Sequence, residues 1–305
     1  MHIPNGMLQG GICPVTAVVS TIVIGFAAFR AFFAKNKPSA ARFAAITALI
    51  FAGQMMNFPV SGGTSGHLLG GILAVALLGV PFGILSMALV VTIQCLIFSD
   101  GGFTVLGANI LNMAIIGAGL GGFIYQSFAK KFSLKSSQYF VGISVVSWFS
   151  IMIAALACSI ELAISGTTPF FKVIGAMLGT HAFIAIGEAL ITVAACFAFA
   201  SELMGGSQKR SVTVPLIAAG IIAFVLSPFA SGLPDGLEWV AAKFNFLHES
   251  VPTFVSPLPD YTVAAISNEP LATGLAGLIG VIITFFAAWI VANIFSRPTQ
   301  LEVSA

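Results

Sequence analysis

The chain has 305 residues, of which 58% are hydrophobic and only 7% charged, with a formal net charge of +2 and a mean hydropathy of +1.05. A soluble globular domain carries about a quarter charged residues, so composition excludes that class. No nucleic-acid partner is expected, and the expected fold is an all-α polytopic membrane protein in the lipid bilayer.

The chain starts Met1-His2-Ile3-Pro4, with no basic run or signal sequence ahead of it. A peptide starting X-His offers three nitrogens in sequence: the terminal amine, the His2 amide once deprotonated, and the His2 imidazole. These close fused chelate rings around one ion. A fourth nitrogen from His67, in Gly62-Gly63-Thr64-Ser65-Gly66-His67, would complete a plane. Square-planar nitrogen sets suit Ni(II) or Cu(II), whereas tetrahedral sulphur-rich sets suit zinc. The plainer alternative is that His2 is an ordinary exposed residue.

Spans of about 20 apolar residues cross a bilayer. The segments that fit are 15–34, 43–56, 84–98, 108–128, 139–160, 172–200, 212–230 and 271–295. Segment 68–79 is short and ends at Gly79-Val80-Pro81-Phe82-Gly83, so it reads as a half-span or an interrupted helix, tolerated only against protein or a polar cavity. Eight or nine crossings are expected. Lys and Arg concentrate on the cytoplasmic side of span ends. An extracytoplasmic amino terminus puts Arg30, Lys35, Lys37, Arg42, Lys130, Lys131, Lys135, Lys209, Arg210 and Arg297 inside and only Lys172 and Lys243 outside. The carboxyl terminus is then cytoplasmic, and His2 and His67 share the outer face.

Cys13, Cys95, Cys158 and Cys196 are scattered singly, which indicates neither a disulfide framework nor a thiolate site. Three of them read as small hydrophobes; Cys13 with Met7, Met55 and Met56 offers a weaker, soft-ligand alternative for Cu(I). Gly117 to Gly122 contains a G-x-x-x-G spacing that lets helices approach closely. His181 and Glu188 lie in one predicted span, seven residues apart and so on one helix face. Intramembrane ionisable residues are functional candidates: they orient the metal loop, relay protons below it, or form a structural polar pair. After a cytoplasmic stretch, Ser201 to Ser211, one span leads to an outer loop, 231–270, and a last span returns. That loop carries Asp235, Glu238, Glu249, Asp260 and Glu269 against Lys243, an acidic cover that is either solvated or drawn to cations beside His67.

The residues Met1-His2-Ile3-Pro4-Asn5-Gly6, Asn57-Phe58-Pro59-Val60, Gly62 to Gly70, Thr180-His181-Ala182-Phe183-Ile184 and Gly187-Glu188-Ala189-Leu190 resemble the signature of the CbiM/NikM family, the substrate-binding membrane subunits of nickel and cobalt energy-coupling-factor transporters. The tail, with Pro234-Asp235-Gly236-Leu237-Glu238 and Ser256-Pro257-Leu258-Pro259-Asp260-Tyr261, is similar to the PDGLE or NikN-type accessory component. The resemblance implies a metal-binding membrane domain over residues 1–205 and an accessory domain over 206–305. It also implies a transported Ni2+ or Co2+ held by Met1, His2 and His67, with Thr64, Ser65, His181 and Glu188 supporting the loop or the structure. Asn5 stands where the family often has aspartate.

No G-x-x-x-x-G-K-[ST] phosphate loop occurs, and Gly205-Gly206-Ser207-Gln208-Lys209-Arg210 lacks its spacing. The resemblance therefore implies partners: a transmembrane coupling subunit and cytoplasmic ATPase subunits, with the chain itself non-catalytic in the plasma membrane. A proton-coupled secondary transporter using His181 and Glu188 is an alternative. So is a rhomboid-like serine protease with Ser65, in Gly63-Thr64-Ser65-Gly66, as nucleophile and His181 as base. Nickel is favoured over cobalt because four planar nitrogens fit its low-spin form.

Overall fold

The computed structural model describes residues 1–129, 131–134, 136–199, 210–247 and 254–296. Lys130, Lys135, Lys209, Arg297, Glu249 and the connecting stretch 201–209 lie outside the described residues.

The chain is mostly helical, and each apolar run of the sequence becomes a helix. These are α1 (Ile12–Phe32), α2 (Ala40–Gln54), α3 (Gly71–Leu78), α4 (Val80–Phe98), α5 (Leu106–Ile110), α6 (Gly121–Ala129), α7 (Ser137–Ile164), α8 (Phe170–Ala198), α9 (Arg210–Ile221), α10 (Gly236–Lys243) and α11 (Glu269–Ser296). A wide π-helical stretch, Leu111–Leu120, joins α5 to α6, so Phe103–Ala129 runs as one span. Among the described residues seven helices are long and apolar enough to cross a membrane. Of the other two expected segments, α2 has 15 residues and α3 only eight. The half-span reading of 68–79 matches α3: Gly70 and Gly79 adopt φ of 78° and 84° at its two ends, a left-handed backbone that glycine enters without a Cβ clash.

The all-helical expectation needs one addition. The glycine-rich loop is a β-hairpin, in which β1 (Asn57–Val60) pairs antiparallel with β2 (Thr64–His67) and sets Asn57 opposite His67. Gly62 and Gly63 turn it with φ of 89° and 81°.

Burial explains the layout. Every residue of α2 from Phe43 to Gln54 is buried, as expected of a helix apolar all round, and it packs against α4, α9 and α11. Helix α1 instead exposes Val15, Val18, Ile22, Phe26 and Phe29 and lies at the periphery. Helices α7 and α8 form an antiparallel pair, tied by Trp148 Nε1 donating to the Ala182 carbonyl at 3.0 Å. The connecting segments then gather at one end: Ser231 N donates to Asn57 O, Leu258 N to Ile97 O and Gly102 N to Ile3 O, each within 2.9 Å.

Gly107 tests the packing. A Cβ there would meet the α1 backbone, Ala17 Cα at 2.4 Å, whereas one on Gly179 meets nothing within 4 Å. Gly107→Ala should lower stability by about 1–3 kcal/mol, while Gly179→Ala should be neutral or stabilising by up to about 1 kcal/mol. Thermal unfolding of the purified variants checks the contrast.

Candidate metal centre

The first eight residues are folded into the bundle end, and side-chain hydrogen bonds explain why. Asn109, an amide among apolar neighbours at the end of α5, accepts from Ile3 N at 2.7 Å and donates to Ile3 O at 3.0 Å, imitating a strand pairing. Thr167 Oγ1 donates to Met7 O at 2.6 Å. Asn5 Oδ1 accepts from Thr104 N and Oγ1, so its amide secures the segment. Ile3 and Met7 are fully buried behind these ties.

This places the Met1 nitrogen, as terminal ammonium, 2.8 Å from His67 Nε2 and 2.8 Å from Asp235 Oδ2. His67 closes β2. Its Nδ1 donates to its neighbour's carbonyl, Leu68 O, at 2.9 Å, which leaves the Nε2 lone pair facing Met1. Burial, then the ammonium and His2, push the His67 pKa down to about 3, so the ring is neutral and able to ligate at physiological pH. The His2 and His67 rings stack with centroids 5.3 Å apart.

His2 is held by two acceptors: Asp100 Oδ1, 2.9 Å from Nδ1, and Gln94 Oε1, 3.2 Å from Nε2. Asp100 Oδ2 accepts from the Tyr261 hydroxyl at 2.6 Å. Burial raises the carboxyls of Asp100 and Asp235, yet each ends well below the ordinary carboxylate range: His2 and Tyr261 outweigh burial at Asp100, and the ammonium does so at Asp235. Both stay ionised. Burial and then Asp235 raise Glu238, and burial and then Asp100 raise Tyr261.

Around this nest lies a cleft of about 230 Å³, lined among others by His2, Gln54, His67, Asp100, Asp235 and Asp260. The segment 231–268 forms one wall. Asp235 caps α10, accepting from Leu237 N and Glu238 N, while Glu238 Oε2 accepts from Asp235 N, a complete capping box. Asp260 and Tyr261 both adopt φ of 53°. Such left-handed residues cost of order 1–3 kcal/mol and cluster at functional sites; here the turn stacks Tyr261 on Phe98 at 4.6 Å and aims its hydroxyl at Asp100.

The expected supporting residues have definite partners. Thr64 Oγ1 donates to Pro234 O at 3.0 Å, Ser65 N to the same carbonyl at 2.8 Å, and Ser65 Oγ to Leu233 O at 2.7 Å, so both fasten the hairpin to segment 231–236. Glu188 accepts from Leu69 N at 2.6 Å and Gly70 N at 3.0 Å, holding the chain that follows His67. His181 Nδ1 donates to Met177 O at 2.8 Å. No hydrogen bond joins Ser65 to His181 or His181 to Glu188 among the described residues, so neither the serine–histidine pair nor the proton relay is assembled. The soft-ligand set is divided: Met7 and Cys13 pack in one apolar cluster and Met55 in another. Sequence reasoning missed Gln94, Asp100, Asn109 and Tyr261. Asn109 was signalled by a lone amide in an apolar run, and Asp100 by a polar turn, Ser99-Asp100-Gly101, between two spans.

Among the described residues no three His, Cys, Asp or Glu side chains converge to hold an ion. Any metal held here therefore draws on main-chain nitrogen.

Comparison with known proteins gives this arrangement a context. Residues 2–203 match the CbiM model, described as the cobalt uptake substrate-specific transmembrane region, and residues 209–297 match the PDGLE domain. A NikMN-type fused nickel transport protein of Archaeoglobus fulgidus is 35% identical over 93% of this chain and 95% of its own length. The fused nickel transport protein NikMN of Rhodobacter capsulatus is 27% identical over 92% of this chain and 94% of its own. A crystal structure of a truncated transition metal transporter superposes with a TM-score of 0.57 at 30% identity, covering 68% of this chain and all of that one. With its transmembrane helices and this coverage, the chain belongs to the CbiM family of nickel and cobalt transport proteins and carries a PDGLE domain behind the CbiM region.

Proposed function

We propose that the chain is the substrate-binding component of an ATP-driven, energy-coupling-factor-type uptake transporter in the plasma membrane. It takes Ni2+, with Co2+ the second choice, on its extracytoplasmic face. Residues 1–205 bind the ion and 206–305 form the accessory domain; a transmembrane coupling subunit and cytoplasmic ATPase subunits supply the energy, and the chain catalyses no reaction itself. The ligands are the Met1 amine, the His2 amide, the His2 imidazole and His67 Nε2.

One observation carries this reading: the Met1 nitrogen and His67 Nε2 lie 2.8 Å apart. Two ligands about 2.0 Å from one metal at a right angle stand about 2.8 Å from each other, so this is already an edge of a square plane. In the metal-free arrangement a proton on the amine bridges that edge. The ion replaces the proton, and the Met1–His2 peptide supplies the next corner. The third corner requires His2 Nδ1, which closes the second chelate ring, so the imidazole must exchange Asp100 for the ion. Asp100 and Asp235 remain beside the site as negative charge that favours a dication. Nickel rather than cobalt is supported by the all-nitrogen plane and by the fused arrangement shared with relatives named for nickel transport.

Adding one residue before Met1 should abolish tight nickel binding in calorimetry, because the amine becomes a peptide nitrogen; unchanged affinity would sink the amine ligand. Intact-mass measurement should find Met1 retained.

His67→Ala should weaken binding by orders of magnitude, and a variant that binds normally would refute that ligand. In the wild type, affinity should fall as pH drops from about 8 to about 6, because the amine must lose a proton. His67, with its pKa pushed down to about 3, is unprotonated throughout that range and adds nothing to the slope. A flat calorimetric profile would point to carboxylate ligands instead.

Asp235→Asn preserves a good helix cap but removes the charge 2.8 Å from Met1. Nickel affinity should fall about tenfold or more with the thermal midpoint of the metal-free protein little changed; equal affinity would show that the charge is irrelevant to loading.

A further inference from the structure

His181 is 1% exposed, and its Nδ1 is committed to Met177 O. Nε2 is therefore an acceptor, and it has no partner among the described residues. An unpaired buried acceptor in an apolar span is unfavourable and calls for an explanation. The ring lines a small cavity of about 10 Å³ together with Met1, Gly66, His67, Asp235 and Gly236. That is room for one water, provided the walls are polar. Here they include an ammonium, a carboxylate and the open imidazole nitrogen.

The terminal ammonium carries three N–H bonds, and two are met by His67 Nε2 and Asp235 Oδ2. We propose that the third is met by a single water held on His181 Nε2, making His181 a positioning residue for the metal-binding amine. The count of hydrogens gives the role. When the ion replaces one proton, the amine keeps two N–H bonds and turns its freed lone pair to the metal. His67 becomes a ligand, so the acceptors that remain are Asp235 and the water on His181. Two acceptors for two N–H bonds fix the rotation of the amine about its Cα–N bond and aim the lone pair into the chelate plane. His181 stays neutral throughout.

The inference rests on the Met1 nitrogen being a ligand, and the test separates the two claims. Nickel affinity is measured by calorimetry on the purified full chain for wild type, His181→Leu, His181→Gln and the chain extended by one residue. Glutamine carries its amide at the position of Nε2 and can hold the same water. His181→Leu should bind nickel 10- to 100-fold more weakly, and His181→Gln should recover to within a few-fold of wild type. Equal loss in both would mean a packing role and overturn the proposal, as would normal binding by His181→Leu. If His181→Leu does not fold, His181→Met fills a similar volume without the acceptor and replaces it.

A second measurement uses Cu2+, which nitrogen sites hold more tightly than Ni2+, so that residual binding by the extended chain stays readable. With no terminal amine to aim, His181→Leu should change that residual affinity by less than twofold; a loss as large as in the unextended chain would overturn the proposal. If the extension itself leaves nickel affinity unchanged, the amine-ligand reading fails first, whatever His181 does.

Discussion

A charged amino terminus inside a protein is unfavourable unless it is paired and hydrogen-bonded, and this constraint organises the bundle end. Met1 is 6% exposed, so its ammonium has to find acceptors, and the chain supplies His67 and Asp235 at 2.8 Å each. Getting the terminus there requires residues 1–8 to fold back, which Asn109, Thr104 and Thr167 enforce through Ile3, Asn5 and Met7. The same contacts that satisfy a buried charge assemble three nitrogens around one point. Structural necessity and metal chemistry are met by one set of atoms.

The PDGLE domain belongs to the wall of the site. Asp235 reaches Met1 and Tyr261 reaches Asp100, while Leu233 and Pro234 offer their carbonyls to the hairpin that carries His67. Segment 231–261 thus touches both histidine ligands through one intermediary each: the hairpin for His67 and Asp100 for His2. A chain lacking that segment would leave Ser65 N, Ser65 Oγ and the ammonium without their present acceptors.

Much of the fold was legible because apolar length and glycine position are strong signals. The long spans, the short α3 and its glycine ends follow from hydropathy and from Gly70 and Gly79. The hairpin was not legible: Thr64 to His67 is too short and too rich in glycine for period-two alternation to register, and it is stabilised by carbonyls about 170 residues away. For the site, Met1, His2 and His67 could be named because an X-His start has its own chelating chemistry. Asp100, Tyr261 and Gln94 could not, since their role depends on the packing of α4 against the strap, which no local pattern encodes. Asp235 read as one more solvated acid of an outer loop; what distinguishes it is a single ion pair to the first residue.

The two halves of the nitrogen set rest on different supports, which bears on how an ion is kept or released. The terminal half is clamped through Ile3 to Asn109 at the end of α5. His67 is held instead through Leu69 and Gly70, which hang on Glu188 of α8, and through Gln54 of α2, whose amide donates to Leu69 O at 2.7 Å. A tilt of the whole bundle carries both halves together and keeps the chelate intact. A slide of α2 and α8 relative to α5 separates Met1 from His67, and metal–ligand distances tolerate only about 0.2 Å. A shear of about 1 Å, typical of small sliding between packed helices, therefore exceeds what the plane can absorb. Reorientation and release are thus mechanically distinct motions in this architecture: the first needs the α5 and α8 supports locked, the second needs them to part.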